Sequence, residues 1–221
     1  MKNQYVIGDL HGCSKTFRKL VTEGIRLEKM DELFCLGDYV DRGPDSKGVI
    51  DFILELREQG FTVHTLRGNH DQMMMDAQKN PESFKDWLRN GGNTTLQSFH
   101  VESYDELDSK YKHFFYETQY YIETGNYILV HAGLNFRYDN PFEDKHAMMW
   151  IRGFSVDEKK LGGRVIVHGH TPIPWEIIQA QNGQQIIDID GGCVYPKLPG
   201  FGHLVAMNLT TGKFFAEKNC E

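Results

Sequence analysis

Five short stretches of this sequence collect the residue types that hold divalent cations or move protons. Gly37-Asp38-Tyr39-Val40-Asp41-Arg42-Gly43 packs two carboxylates and a guanidinium between two glycines. Gly8-Asp9-Leu10-His11-Gly12, Arg67-Gly68-Asn69-His70-Asp71, His131-Ala132-Gly133 and His168-Gly169-His170-Thr171-Pro172 add further oxygen and imidazole groups. Alone, Gly-Asp-x-x-Asp-Arg-Gly also describes a polar turn with an internal Asp–Arg pair, and a single histidine at a strand end is more often satisfied structurally than metal-bound. Gly-Asp-x-His-Gly, Gly-Asp-x-Val-Asp-Arg-Gly and Gly-Asn-His-Asp in succession, each after an apolar run, ask for one joint explanation.

That explanation is a metal centre. Mixed carboxylate, carboxamide and imidazole donors suit borderline divalent ions such as manganese, iron or zinc, not the thiolate set of a structural zinc site. One ion could take Asp9, His11 and Asp38; a second could take Asp38, Asn69, His131 and His170, so that Asp38 bridges. Two ions about 3.5–4 Å apart can share a hydroxide, lower its pKa and hold a phosphoryl oxygen. In-line attack on phosphorus further needs neutralised equatorial oxygens and a proton for the leaving alkoxide. Arg42 is placed for the first task, since its planar fork matches phosphate oxygens, and Arg152 in Trp150-Ile151-Arg152 is a second candidate. His70 is left off the metals and is free to act as general acid, with Asp41 orienting it and raising its pKa. His168 competes with His170, which is preferred because it follows glycine at a strand exit; His64, His100, His113, His146 and His203 read as structural.

These residues need elements that bring them to one place. Tyr5-Val6-Ile7, Leu33-Phe34-Cys35-Leu36 and Phe61 to Leu66 read as strands that each end in a polar cluster. Ser14 can cap a helix carrying Phe17, Leu20 and Val21 that stops at Gly24, and Asp45-Ser46 opens another that stops at Gly60. Three β-loop-α units in succession place three clusters at one edge of one sheet. Residues 72–116 read as a helical insertion, with Met73, Met74 and Met75 as core filler, and Asn90-Gly91-Gly92-Asn93 within it as either an ordinary turn or a lining of the site. The later part reads as three hairpins: residues 119–130 around Gly125-Asn126, residues 175–189 around Asn182-Gly183, and residues 202–217 around Thr211-Gly212. A first half of βα units and a second half of hairpins predicts an α/β fold of two packed sheets with helices outside.

The 221 residues suffice for one good core and a single domain over 1–221 is expected, with no repeat or long linker. A net charge of −7 argues against non-specific binding to nucleic acid or an anionic membrane. Cys13, Cys35, Cys193 and Cys220 are scattered without a CxxC pair, which suits reduced, buried thiols. The MKNQYVIGD start is too short and polar for a signal peptide, and no apolar run approaches the roughly 18 residues of a membrane span, so a soluble cytoplasmic monomer is expected.

GDLHG at 8–12, GDYVDRG at 37–43, RGNHD at 67–71, VHAG at 130–133, Trp-x-Arg at 150–152 and GHTP at 169–172 give the chain a family resemblance. It resembles the metal-dependent phosphoprotein phosphatases among the calcineurin-like metallophosphoesterases, most closely the small bacterial and bacteriophage lambda-type serine/threonine protein phosphatases. The resemblance covers nearly the whole chain and implies a central β-sandwich of two mixed sheets flanked by helices. It implies two divalent ions, Mn2+ with Fe or Zn as alternatives, held by Asp9, His11, Asp38, Asn69, His131 and His170. Asp41 with His70 corresponds to the acid dyad, and Arg42 and Arg152 to phosphate clamps. The implied activity is hydrolysis of phosphoserine and phosphothreonine, with phosphotyrosine alongside, in a phosphorylated protein or peptide, by a metal-bridging hydroxide.

Symmetrical hydrolysis of diadenosine tetraphosphate is the alternative, for which Lys85, Arg89, Trp87 and Tyr39 could supply a basic pocket with an aromatic platform. A catalytically silent metal-binding module is the third reading, and the intact His70, Asp41 and Arg42 speak against it. Two departures stand out. Asp71 replaces the usual Glu of the family, and Gly191-Gly192-Cys193-Val194-Tyr195 stands where eukaryotic members carry a SAPNY-type loop, so their regulatory-subunit docking does not carry over.

Overall fold

The computed structural model describes residues 2–221. Strands β1 (Gln4–Ile7), β2 (Glu32–Cys35) and β3 (Thr62–Thr65) lie parallel, and β8 (His203–Asn208) and β9 (Phe214–Lys218) extend the sheet antiparallel in the order β3-β2-β1-β8-β9. A second sheet runs β4-β5-β6-β7, from β4 (Tyr121–Thr124), β5 (Tyr127–Val130), β6 (Val165–His168) and β7 (Ile186–Asp188). Only its β4–β5 pair is antiparallel.

Alternation along the strands decides what each face buries. Val6, Phe34, Val205 and Met207 face Leu129, Val167 and Ile187 in a core between the two sheets. Their neighbours Tyr5, Ile7, Leu33 and Cys35 face the helices on the other side. Ile128, Val130 and Ile166 form the outer face of the second sheet, covered by Leu134, Met148 and Leu161. The result is a two-sheet sandwich with helices on both outer faces.

Helix α1 (Ser14–Lys19) continues into a π turn at Leu20–Gly24, and α2 (Ser46–Glu58) begins where the Asp45 carboxylate accepts from Gly48 N. Such a cap is worth about 1 kcal/mol. Helix α3 (Asn69–Asp76) starts directly at the third cluster, followed by α4 (Pro81–Trp87), α5 (Asn93–Phe99) and α6 (Ser109–Glu117). Met74 and Met75 of α3 are buried in the helix-side core. Arg67, at the exit of β3, is buried and donates to Phe115 O and Thr118 Oγ1, which ties the end of this helical stretch back to the sheet.

Two expectations are corrected. Residues 175–189 are not a hairpin: Trp175–Gln179 is a helix, and β7 pairs parallel with β6, so β6, this helix and β7 form a crossover unit. Pro174 sets the entry φ of that helix and only Ile178 of its residues turns fully inward, a pattern of helical period that the apolar run hides. Cys220 is exposed, whereas Cys13, Cys35 and Cys193 are buried, and all four thiols are free. The sequence reading also lacked α7 (Lys145–Trp150), capped by Asp144, and α8 (Glu158–Leu161), capped by Asp157 and closed by Gly162 in the left-handed conformation. No helix among the described residues is long and apolar enough to cross a membrane.

Candidate active site

The carboxyl ends of β1, β2 and β3 all open on one edge, and those of β5 and β6 reach it from the facing sheet. The chain leaves these strands in tight, strained turns. His11 (φ 40°), Asp38 (φ 51°), Asp41 (φ 72°), Arg42 (φ 70°) and His170 (φ 75°) all adopt left-handed backbone. Among the described residues only Arg26 and His100 share that region without being glycine. Each such residue costs about 1–2 kcal/mol, a strain that persists only where surrounding bonds enforce it.

At Asp38 the enforcing group is Asp71. Its carboxylate accepts from Asp38 N (2.9 Å), Tyr39 N (3.0 Å) and Gly68 N (2.9 Å), clamping the β2 and β3 exits together. The shorter side chain at this position therefore still supports both loops. His11 N in turn donates to Asp38 O (2.7 Å), fastening the β1 exit to the β2 exit. A Cβ on Gly68 would collide with the Asp38 carboxylate, so only glycine lets that loop pass. Gly91 (φ 109°) closes on the Arg42 backbone, with Arg42 N donating to Gly91 O, so the Asn90–Asn93 turn does line the site.

The structure brings all six candidate ligands together. Asp38 Oδ2 lies 3.5 Å from His11 Nε2 and 3.6 Å from His131 Nε2. Asn69 Oδ1 lies 3.0 Å from His131 Nε2 and 2.9 Å from His170 Nδ1, while both Asp9 oxygens accept from His170 N. Two groups of donor atoms result, His11 with Asp38 and His70, and Asp38 with His131 and His170, and Asp38 belongs to both. His168 stands apart, its ring against Phe154 and its Nδ1 on Gly169 O.

The donor chemistry fits divalent ions. His11 Nδ1 is spent on Val40 O and His131 Nδ1 on Leu36 O, so each turns the lone pair of a neutral Nε2 toward the centre. His170 Nε2 is buried without a partner, and Arg42 Nη1 sits 2.7 Å from His11 Nε2. Burial, then the charges of His70 and Arg42, hold His11 well below the usual imidazole range; burial and His170 do the same to His131. Burial and Arg152 bring His170 down to about 4. Burial pushes Asp9 and Asp38 well above the carboxylate range, aided by Asp190 on Asp9 and Asp71 on Asp38. Neutral imidazoles beside crowded buried carboxylates are a cation site by electrostatics as well as by geometry.

His70 Nδ1 lies 2.8 Å from Asp41 Oδ2, and Asp41 is held by Trp87 Nε1 (3.0 Å to each oxygen) and the Thr95 hydroxyl (2.7 Å). The expectation that Asp41 raises the pKa of His70 is not met. Burial, then Arg42 and Arg152, push His70 down to about 3, and burial lifts Asp41 to about 7. The proton of this pair leans toward the carboxyl, leaving His70 a neutral ring.

Trp87, named as an aromatic platform for a base, holds Asp41 instead, and Thr95 and Asp190 are contributors that the motifs do not name. Trp87 and Thr95 lie in the helical stretch, where nothing in their spacing ties them to Asp41. Asp190 raises Asp9 and accepts from Gly192 N, and it belongs to Asp188-Ile189-Asp190-Gly191-Gly192, a strand-end acidic motif like those that were singled out.

The titration directions predict an unusual pH response for the metal-free protein. The raised carboxyls of Asp9, Asp38, Asp71 and Asp188 keep protons that the unfolded chain gives up, so their contribution is lost as pH rises. The depressed histidines contribute fully above about pH 6.5 and lose it as pH falls, so the two sets oppose each other below that point. Above it only the carboxyl set acts, at up to about 1.4 kcal/mol per pH unit for each group, or about 3–4 °C in a chain of this size. In a chelator, Tm measured by calorimetry should fall as pH rises above about 6.5, and manganese should flatten that fall. A chelated protein with no fall above pH 6.5 would contradict this charge arrangement.

The calcineurin-like phosphoesterase family model matches residues 4–198. Serine/threonine-protein phosphatase 1 of Salmonella typhimurium is 29% identical over 179 residues, covering 78% of this chain and 80% of that protein. The symmetrical bis(5'-nucleosyl)-tetraphosphatase of Nitrosospira multiformis is 35% identical over 149 residues, 59% of this chain but only 43% of that enzyme. Among solved structures, the cold-active protein-tyrosine phosphatase of a psychrophilic Shewanella aligns with a TM-score of 0.65 over 99% of this chain and 81% of that one. At 15% identity that likeness speaks to the fold alone.

Proposed function

This chain belongs to the calcineurin-like phosphoesterase family, and we propose that it is a metal-dependent phosphatase acting on phosphoserine and phosphothreonine in proteins. The observation that carries this reading is the buried His70–Asp41 pair beside the metal-ligand cluster. A serine or threonine alkoxide is a far stronger base than a nucleoside diphosphate or a phenolate, so its departure depends on a placed proton donor. In this reading His70, backed by Asp41, is that donor.

Two divalent ions, manganese in this reading, would be held by Asp9, His11, Asp38, Asn69, His131 and His170 and would supply the Lewis acidity that activates water and neutralises the phosphoryl group. The chain's own residues do the rest. His70 gives the proton on Nε2 to the departing alkoxide while its Nδ1 takes the proton of Asp41 across their 2.8 Å contact. The carboxylate left on Asp41 is then stabilised by Trp87 and Thr95. Arg42 and Arg152, the two charges that depress His70, flank the same cleft as cations for the phosphoryl oxygens. Arg42 rests over the ring of Tyr195, which limits its sweep.

The dinucleotide alternative loses its aromatic platform. Trp87 is 1% exposed and Tyr39 is fully buried, its hydroxyl donating to Leu66 O. Lys85 and Arg89 are at the surface, paired with Glu82 and Asp86. Initial rates with manganese on a phosphothreonine peptide and on diadenosine tetraphosphate, side by side, test the substrate. A kcat/KM for the peptide at least tenfold higher is expected; a preference for the dinucleotide would overturn the reading.

A further inference from the structure

Beside the catalytic cleft lies a cavity of about 640 Å3 that the chemistry above does not use. Its walls come from Leu134, Phe136 and Arg137 on one side and Ile151, Phe154 and Val156 on the other. Both sides are rooted in site residues. The first follows His131-Ala132-Gly133, and a side chain on Gly133 would run into Phe154 and Ile151, so the cavity wall packs directly on the loop that carries His131. Phe154 also meets the ring of His168, two residues before His170. Arg152 sits between Ile151 and Gly153, which both line the cavity, and its charge depresses His70 and His170. The cavity thus adjoins the loops that carry His131, Arg152 and His170.

Its charge is equally informative in a chain of net charge −7. Arg137 and Arg152 are exposed and make no ion pair among the described residues. The one acid in the lining, Asp157, is occupied as the cap of α8, accepting from Lys159 N. The loop that presents Arg137 is braced from behind, with Lys160 Nζ donating to Phe136 O and Tyr138 O and Asn135 Nδ2 to Asp144. A braced backbone carrying an exposed, unpaired guanidinium in the wall of a part-apolar cavity suits an extended anionic segment.

Resting on the phosphoprotein reading, we propose that this cavity receives the substrate residues adjoining the phosphorylated one, and that Arg137 selects an anionic side chain among them. The apolar walls Phe136 and Phe154, stacked with centroids 6.4 Å apart, take the aliphatic part of that segment, and Arg137 meets its carboxylate. The cavity exceeds what one side chain needs, so more than one substrate residue enters.

The test compares kcat/KM on three phosphothreonine peptides carrying Glu, Ala or Lys near the phosphorylated residue, each normalised to hydrolysis of p-nitrophenyl phosphate, which is too small to reach the cavity. The unchanged protein should prefer the Glu peptide over the Lys peptide by about fivefold or more, as expected for one exposed charge contact counted as attraction and repulsion. Arg137→Ala should erase the preference and Arg137→Glu should invert it. Equal losses of all three peptides, or a preference that survives Arg137→Glu, would overturn the subsite while leaving the phosphoprotein reading in place. Absence of peptide hydrolysis by a protein that still cleaves p-nitrophenyl phosphate would instead overturn the phosphoprotein reading, and the subsite with it.

Discussion

Asp38→Asn is expected to lower phosphoester hydrolysis by about three orders of magnitude, the scale of losing a main electrostatic element of a site. Asp38 is the one residue common to both donor groups, with Oδ2 within 3.6 Å of imidazoles from each. Removing its charge weakens both ions at once, whereas a change at any other ligand weakens one. The amide keeps the shape, can still accept from His70 N, and tolerates the left-handed backbone that Asp38 adopts. The variant should therefore fold. In chelator it should be as stable as the unchanged protein or more so, because folding no longer has to hold a proton on a buried acid. Metal content by mass spectrometry should fall well below that of the unchanged protein. Activity within tenfold of the unchanged protein, or full metal content, would show that Asp38 does not bridge.

His70→Asn is the second large effect, and its signature is selective. On a phosphothreonine peptide the rate should fall by about 10^2–10^4, the usual worth of a placed general acid. On p-nitrophenyl phosphate, whose leaving group needs little protonation, the fall should be at least tenfold smaller. Metal content should stay unchanged, and that measurement matters because the His70 ring also stands near His11 and Asp38, close enough to serve as a ligand instead. Equal losses on both substrates together with lost metal would reassign His70 from acid to ligand.

Much of this site was legible because its residues sit where the chain must break its own rules. Strand alternation ends at Ile7, Cys35 and Val130, and the next polar residues inherit the sheet edge, so Asp9, Asp38 and His131 could be placed from the apolar runs before them. Glycines at 8, 12, 37, 43 and 68 flank these clusters, and the structure shows backbone pressed against each of those sites, with the Asp38 carboxylate closing on Gly68 as well. What stayed hidden depends on tertiary packing. Trp87 looked like a surface platform for a base because helical spacing alone does not say which face a short helix buries; in the fold it turns inward to hold Asp41. Trp175–Gln179 looked like a strand because its isoleucines suit either period, and only the parallel partnership of β6 and β7 demands a crossover helix between them. The pKa of His70 was misjudged for a related reason: a carboxylate neighbour was visible in the motif, but the burial and the two arginines that outweigh it were not.

The central claim is that hydrolysis requires two ions gathered around Asp38. The most direct measurement is to strip the protein with a chelator and titrate it with manganese while following release of phosphate from a phosphothreonine peptide. No turnover in the stripped protein is expected, with a rate that rises with added metal and saturates at about two equivalents per chain. Hydrolysis without metal, or full activity at a single equivalent, would contradict it.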